Sequence, residues 1–236
     1  MFIGHYGPAI WDTQRGHDAP IVALWQGFLA VQFIDIVWAI LVILGIEGPG
    51  SNASGSPIFN IPWSHSLLSS LLLAGFAGGV FRVLKPSSGA RGFWVIAALV
   101  FSHWVLDLIV HRPDLPIYPG GSYLLGFGVW NFPIAAYTLE MGLVFAGFLF
   151  WQNVTVAKHK IYTIAIWVFF AVMAALQAYV ILLPGLSVQA GTFDASAGPQ
   201  GAALGVTTLI LFFGMAAIIG WIEKGRPSKF SRENRA

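Results

Sequence analysis

The chain has 236 residues, 57% of them hydrophobic and only 9% charged, with a mean hydropathy of +0.75 and a formal net charge of +2. That is too little polar surface to enclose a water-soluble core, so the composition specifies an integral membrane protein, and no nucleic-acid partner is expected. The absence of cysteine excludes disulfides, thiolate zinc sites, iron–sulfur clusters and a thiol nucleophile, and leaves His and carboxylate to hold any metal.

Residues 2–14 form a short apolar segment ending at Gln14, Arg15 and Gly16. About thirteen residues are too few for a hydrocarbon layer that needs about twenty, so this piece is expected to lie in the interface or to dip partway in as a half-helix. It has neither a basic start nor a small-residue cleavage pattern and is not read as a removable signal. Pro20 opens a first full span, Ile21 to Gly45, interrupted by Gln32 and Asp35; a Gly/Ser/Pro-rich loop, EGPGSNASGSPIFN, follows without Lys or Arg.

The second span, Pro62 to Leu84, places His65 in its first turn, and its small-residue centre, Ala74 to Gly79, permits close approach of a neighbouring helix. The third, Gly92 to Val110, stops ahead of Pro113. Asn131 is the expected N-cap of a fourth span, Phe132 to Trp151, which contains Glu140. A fifth span takes Ile161 to Leu183, a loop Pro184 to Gln200, and a sixth span Ala202 to Ile222.

The expected fold is therefore all-α: a polytopic membrane helix bundle of about six transmembrane helices plus a short N-terminal half-helix. It comprises a single domain over residues 1–222 and a basic, disordered tail over 223–236. Arg15, the Arg82–Arg91 connection, the Lys158–Lys160 connection and the tail hold every Lys and Arg except Arg112. By the positive-inside rule these sides, and the C-terminus, are cytoplasmic. Arg112 is left alone on the outer side.

Within the third span, SHWVLDLIVHRPD sets His103, Asp107 and His111 at successive four-residue steps, one stripe of a helix. At about 1.5 Å per residue the two histidines stand about 12 Å apart along the axis with Asp107 halfway, which suits two ions sharing a carboxylate. The same arithmetic puts His5, Asp35, His65, His103, Asp107, His111 and Glu140 at about 15–30 Å from the inner surface, in the central and outer part of the membrane. A lone His or Asp there is usually an ordinary interhelical contact. A whole set at one depth argues for one site, because each unpaired charge costs at least about 2.5–3.5 kcal/mol. His and Asp without Cys suit zinc, and also manganese or iron(II), and an ion with an open position activates water, so hydrolysis is the natural chemistry.

At GHYG (Gly4–Gly7), QFID (Gln32–Asp35), WSHSLL (Trp63–Leu68) and SHWVLD (Ser102–Asp107) the chain resembles the YdjM-like family of bacterial inner-membrane proteins, predicted metal-dependent hydrolases. The resemblance covers about the first 115 residues. It implies a bacterial inner-membrane location. The HxxxDxxxH helix is also similar to the metal-binding helix of zinc-dependent phospholipases C and P1-type nucleases. That similarity implies His5, Asp35, His65, His103, Asp107 and His111 as ligands and a phosphoester substrate, here an amphiphilic, phospholipid-like molecule taken from the bilayer. Those enzymes add a later His and carboxylate; only Glu140 is suitably placed here, which favours two ions or one.

Glu140 is a candidate ligand or general base, with a hydrogen-bonded buried Glu as the alternative. Arg112 could hold a phosphate oxygen, or pair with Asp114 or a headgroup. Asp114 could orient a histidine, although a plain loop carboxylate beside Pro113 is the preferred reading. His17 and His159 are read as solvated, and Gln32, Gln177 and Gln189 as ordinary amides. A transporter or ion conduit is the competing function, since intramembrane His, Asp and Glu also mark ion pathways. A haem protein with two axial histidines is the third, and leaves Asp35 and Asp107 unexplained.

Overall fold

A computed structural model describes residues 1–12, 21–51, 57–194 and 200–230. Arg15, His17, the interior of the first loop, residues 195–199 and the last six residues of the basic tail lie outside the described residues. Among the described residues the chain is all-α, with two short antiparallel strand pairs.

A 3₁₀ turn, Ile3–His5, leads into α1 (Tyr6–Asp12); α2 (Leu24–Val31) and α3 (Phe33–Ile43) follow. Strands β1 (Gly48–Ser51) and β2 (Pro57–Asn60) form a hairpin ahead of α4 (Leu67–Leu84) and α5 (Gly89–Val110). Strands β3 (Leu115–Pro116) and β4 (Leu124–Leu125) precede α6 (Pro133–Val154), α7 (Lys160–Gln177), α8 (Leu183–Gln189) and α9 (Gly201–Lys224).

Five helical stretches are long and apolar enough to cross a membrane, and α2 with α3 makes a sixth when the pair, bent by 52°, is counted as one broken span. These are the features of a multi-pass membrane protein. Gln32 is the break. It ends α2 and starts α3, so Asp35 falls in the first turn of a fresh helix, where the positive end of the helix dipole favours a carboxylate.

The N-terminal segment is not interfacial. Ile3, His5, Tyr6 and Ile10 are fully buried, packed with Phe28, Val31, Val100, Val144 and Phe148 at the centre of the bundle. A helix start carries backbone N–H groups without internal partners, and inside a bundle no bulk water satisfies them. Here side chains do: Glu140 Oε2 accepts from the N–H of Phe2 (2.9 Å) and Gly4 (3.0 Å), and Gln177 Oε1 from Ile3 (3.1 Å). Gln32 Nε2 donates to the Phe2 carbonyl at 3.1 Å. Gln32 and Gln177 thus moor the half-helix and are not incidental amides.

Other expectations shift. His65 precedes α4 instead of lying in its first turn: Ser66 is the N-cap, its side chain accepting from the Ser69 N–H. Asn131 closes a 3₁₀ turn ahead of α6 and does not cap it; its side chain accepts from Arg112 Nε at 2.9 Å. The fifth helix runs through Pro184 to Gln189 because a π-helical turn, Ala178–Leu182, accommodates a residue that lacks the N–H and crowds the preceding turn. The tail is ordered as far as it is described. Val156 and Lys229 bond to the carbonyls of Pro227 and Val154, and Arg226 is buried with Nε on Thr155 Oγ1 and its guanidinium over the Trp151 ring. Burial lowers the Arg226 pKa from its ordinary value.

Of the small residues in α4, Gly78 makes the expected close approach: a Cβ there would lie 2.7 Å from the Phe93 carbonyl of α5. That contact sets α4 against the helix that carries His103 and Asp107.

Candidate metal centre

His103 and Asp107 project from one face of α5, and His111 follows the end of that helix as its C-cap, with extended backbone. The chain after it is pinned by the β4 loop, where the N–H of Phe127 bonds to the Leu108 carbonyl and that of Gly128 to the His111 carbonyl. Gly126 sits at φ +149° with a Cβ position 2.5 Å from the His111 carbonyl, so only glycine fits there. Asp35 enters from the break between α2 and α3, His5 from the N-terminal turn, and His65 from the turn before α4, where Trp104 Nε1 holds its carbonyl at 3.0 Å.

These six residues meet around the Asp107 carboxylate. On one side Oδ2 lies 3.1 Å from His103 Nε2 and 3.5 Å from His65 Nε2, and the same two nitrogens lie 3.5 and 3.2 Å from Asp35 Oδ1. Imidazole and carboxylate alternate around a closed ring of four atoms. On the other side Oδ1 faces His5 Nε2 at 3.2 Å and His111 Nε2 at 3.6 Å, and the amino group of Met1 also contacts it. Asp107 thus has histidine nitrogens facing each of its two oxygens.

The outer nitrogens reveal the tautomers. His103 Nδ1 lies 2.7 Å from the Val31 carbonyl, which can only accept, so Nδ1 carries the proton. The Ser64 hydroxyl donates its one proton to Glu47 Oε2 at 2.5 Å and therefore accepts from His65 Nδ1 at 2.7 Å. His111 Nδ1 lies 2.8 Å from Asp114 Oδ1. Asp114 orients His111, and its other oxygen accepts from the Phe59 N–H at 3.1 Å; the reading of it as a plain loop carboxylate is corrected. In the neutral imidazoles Nε2 is then a lone pair aimed at carboxylate oxygen. Acceptor facing acceptor in a buried setting is repulsive unless positive charge lies between them. Protonating His65 and His103 alone would balance Asp35 and Asp107, so the ring calls for positive charge supplied either as protons or as a bound cation.

A divalent cation fits the arrangement. The four His–carboxylate distances of 3.1–3.5 Å are near the about 3.3 Å ligand–ligand edge of an ion with bonds of about 2.0–2.1 Å, while the two carboxylates fall in different three-residue groups. Two overlapping groups, His5–His103–Asp107 and Asp35–His65–His103, bring candidate ligand atoms within 4.8 Å of one another. His103 Nε2, His5 Nε2 and Asp107 Oδ2 are buried without a hydrogen-bond partner.

Glu140 belongs to neither group; one oxygen anchors the N-terminal turn. Arg112 is half-buried and tied to Asn131, its pKa lowered by burial and supported by the Asp114 charge. Sequence reasoning missed Glu47 and Ser64. The available signal was a lone carboxylate in a loop with no basic residue to pair with it.

No protein-family model matches the chain, and no curated protein or solved structure is significantly similar to it.

Proposed function

We propose that the chain is a membrane-embedded, metal-dependent hydrolase that cleaves a phosphoester of an amphiphilic, phospholipid-like substrate at the outer half of a bacterial inner membrane, with the C-terminus cytoplasmic. The observation that carries the reading is the alternating ring of Asp35, His65, His103 and Asp107. The donor set suits zinc first, and manganese or iron(II) also, as one ion or two. Such an ion supplies Lewis acidity and activated water.

The protein's own residues do the rest. His103, His65 and His111 present Nε2 because Val31, Ser64 and Asp114 hold Nδ1. Asp35 has the most open side chain of the ring, 14% exposed against 0–4% for the others, so a substrate would reach the ring at Asp35. Arg112 stands next to His111 as the outer cation that would steer a phosphate oxygen. The conduit reading would want polar side chains leading away to the basic end; the buried Glu140, Gln177 and Gln32 are instead bonded to the backbone of the N-terminal turn.

The test is release of phosphorylated headgroup from a panel of phospholipids by vesicle-reconstituted, metal-loaded protein. Turnover should vanish on chelation and in Asp107→Asn. A stoichiometrically loaded parent that cleaves no phosphoester lipid contradicts the assigned reaction.

A further inference from the structure

Glu47 is a buried carboxylate, 7% exposed, immediately before β1 and sixteen residues from the turn that carries His65. Its Oε1 accepts from the N–H groups of Trp63 (2.6 Å) and Ser64 (3.0 Å), and its Oε2 from the Ser64 hydroxyl at 2.5 Å. Both oxygens act as acceptors, closing the base of the β1–β2 hairpin. A structural loop staple would need no more than the two backbone bonds. The third bond is directional: a hydroxyl has one proton, and committing it to Glu47 leaves only lone pairs facing His65 Nδ1 at 2.7 Å.

We infer that Glu47 is a positioning residue for the metal centre: acting through Ser64, it fixes His65 in the Nδ1–H tautomer and so presents the Nε2 lone pair to Asp35 and Asp107. The chain Glu47–Ser64–His65 does for this ligand what a direct carboxylate does for His111. It relays hydrogen-bond polarity from the outer hairpin into the ring, and orienting partners of this kind set ligand basicity and metal affinity. The inference rests on the metal reading for its effect on affinity, but the proton it places on His65 Nδ1 is read with or without an ion, whatever Nε2 carries.

The discriminating variant is Glu47→Gln. Its amide oxygen retains the two backbone bonds, while its NH₂ takes the place of Oε2 and donates to Ser64. The Ser64 proton must then turn to His65 Nδ1, driving the imidazole to the Nε2–H form, which points a proton at the ring. Ring ¹⁵N correlations of histidine-labelled, metal-free protein, assigned with His65→Gln, read the tautomer directly. Binding of zinc alone to the same samples reads the consequence.

The expected result is a proton on His65 Nδ1 in the parent, an unprotonated Nδ1 in Glu47→Gln, and a fall in zinc affinity of about 10–100-fold with the melting temperature of the metal-free protein retained. Ser64→Ala, which leaves the Glu47 backbone bonds in place, should release His65 to a mixture of tautomers; it decides the matter should Glu47→Gln misfold. An unchanged His65 tautomer in the folded variants, or a tautomer switch with unchanged zinc affinity in a parent that binds zinc, overturns the proposal. A parent that binds no zinc while the tautomer still switches upholds the positioning role and removes the metal reading.

Discussion

The two sides of Asp107 are built differently. On the Oδ2 side, His103 and His65 are each locked at Nδ1 by an acceptor, and both face Asp35 at the start of α3. On the Oδ1 side, His111 sits just past the end of α5 with Asp114 behind it. His5 rides on the N-terminal turn, stacked on His103 at 3.6 Å, with neither ring nitrogen hydrogen-bonded. One side is preorganised for an ion from outside its own ligands; the other owes its position to the mooring of a half-helix. The ring side should therefore hold the tighter ion.

The largest effect should come from Asp107→Ala, which removes the element common to both sides: metal affinity should be abolished, as read by equilibrium dialysis. Asp35→Asn or His65→Gln breaks the ring alone and should lower affinity by more than the about 10–100-fold typical of losing an orienting partner. Equal affinities in His5→Ala and His65→Gln would erase the asymmetry. Asp114→Ala should cost about 10–100-fold at the His111 side and leave the ring intact, so titration of a two-ion protein would show one weakened step.

The smallest effect on metal is expected from Glu140→Ala. It removes the acceptor for two backbone N–H groups, so stability should fall by about 1–3 kcal/mol, read as a lower melting temperature in detergent, with ring affinity retained. A Glu140→Ala protein that keeps its melting temperature and ring affinity but loses turnover would restore Glu140 as the general base.

Much of this was legible in the chain. Apolar runs set the six spans, and the four-residue steps of His103, Asp107 and His111 pointed to one helix face because an α-helix has no other way to read them. What stayed hidden depended on tertiary partners. The burial of the turn around Ile3–His5 follows from acceptors on α6 and α7 that no local pattern reveals, and Pro184 looked like a helix end because a π turn leaves no signature in composition. Glu47 was hidden because its partner lies across a hairpin, and Asn131 resembled a cap until Arg112 claimed its oxygen.

The central claim, that this polar cluster is a metal centre, is tested most directly by elemental mass spectrometry on detergent-purified protein beside an identically purified Asp107→Ala variant. The account predicts one or two zinc, manganese or iron ions per chain in the parent and none in the variant. A folded parent that holds no stoichiometric metal even after reconstitution would contradict it.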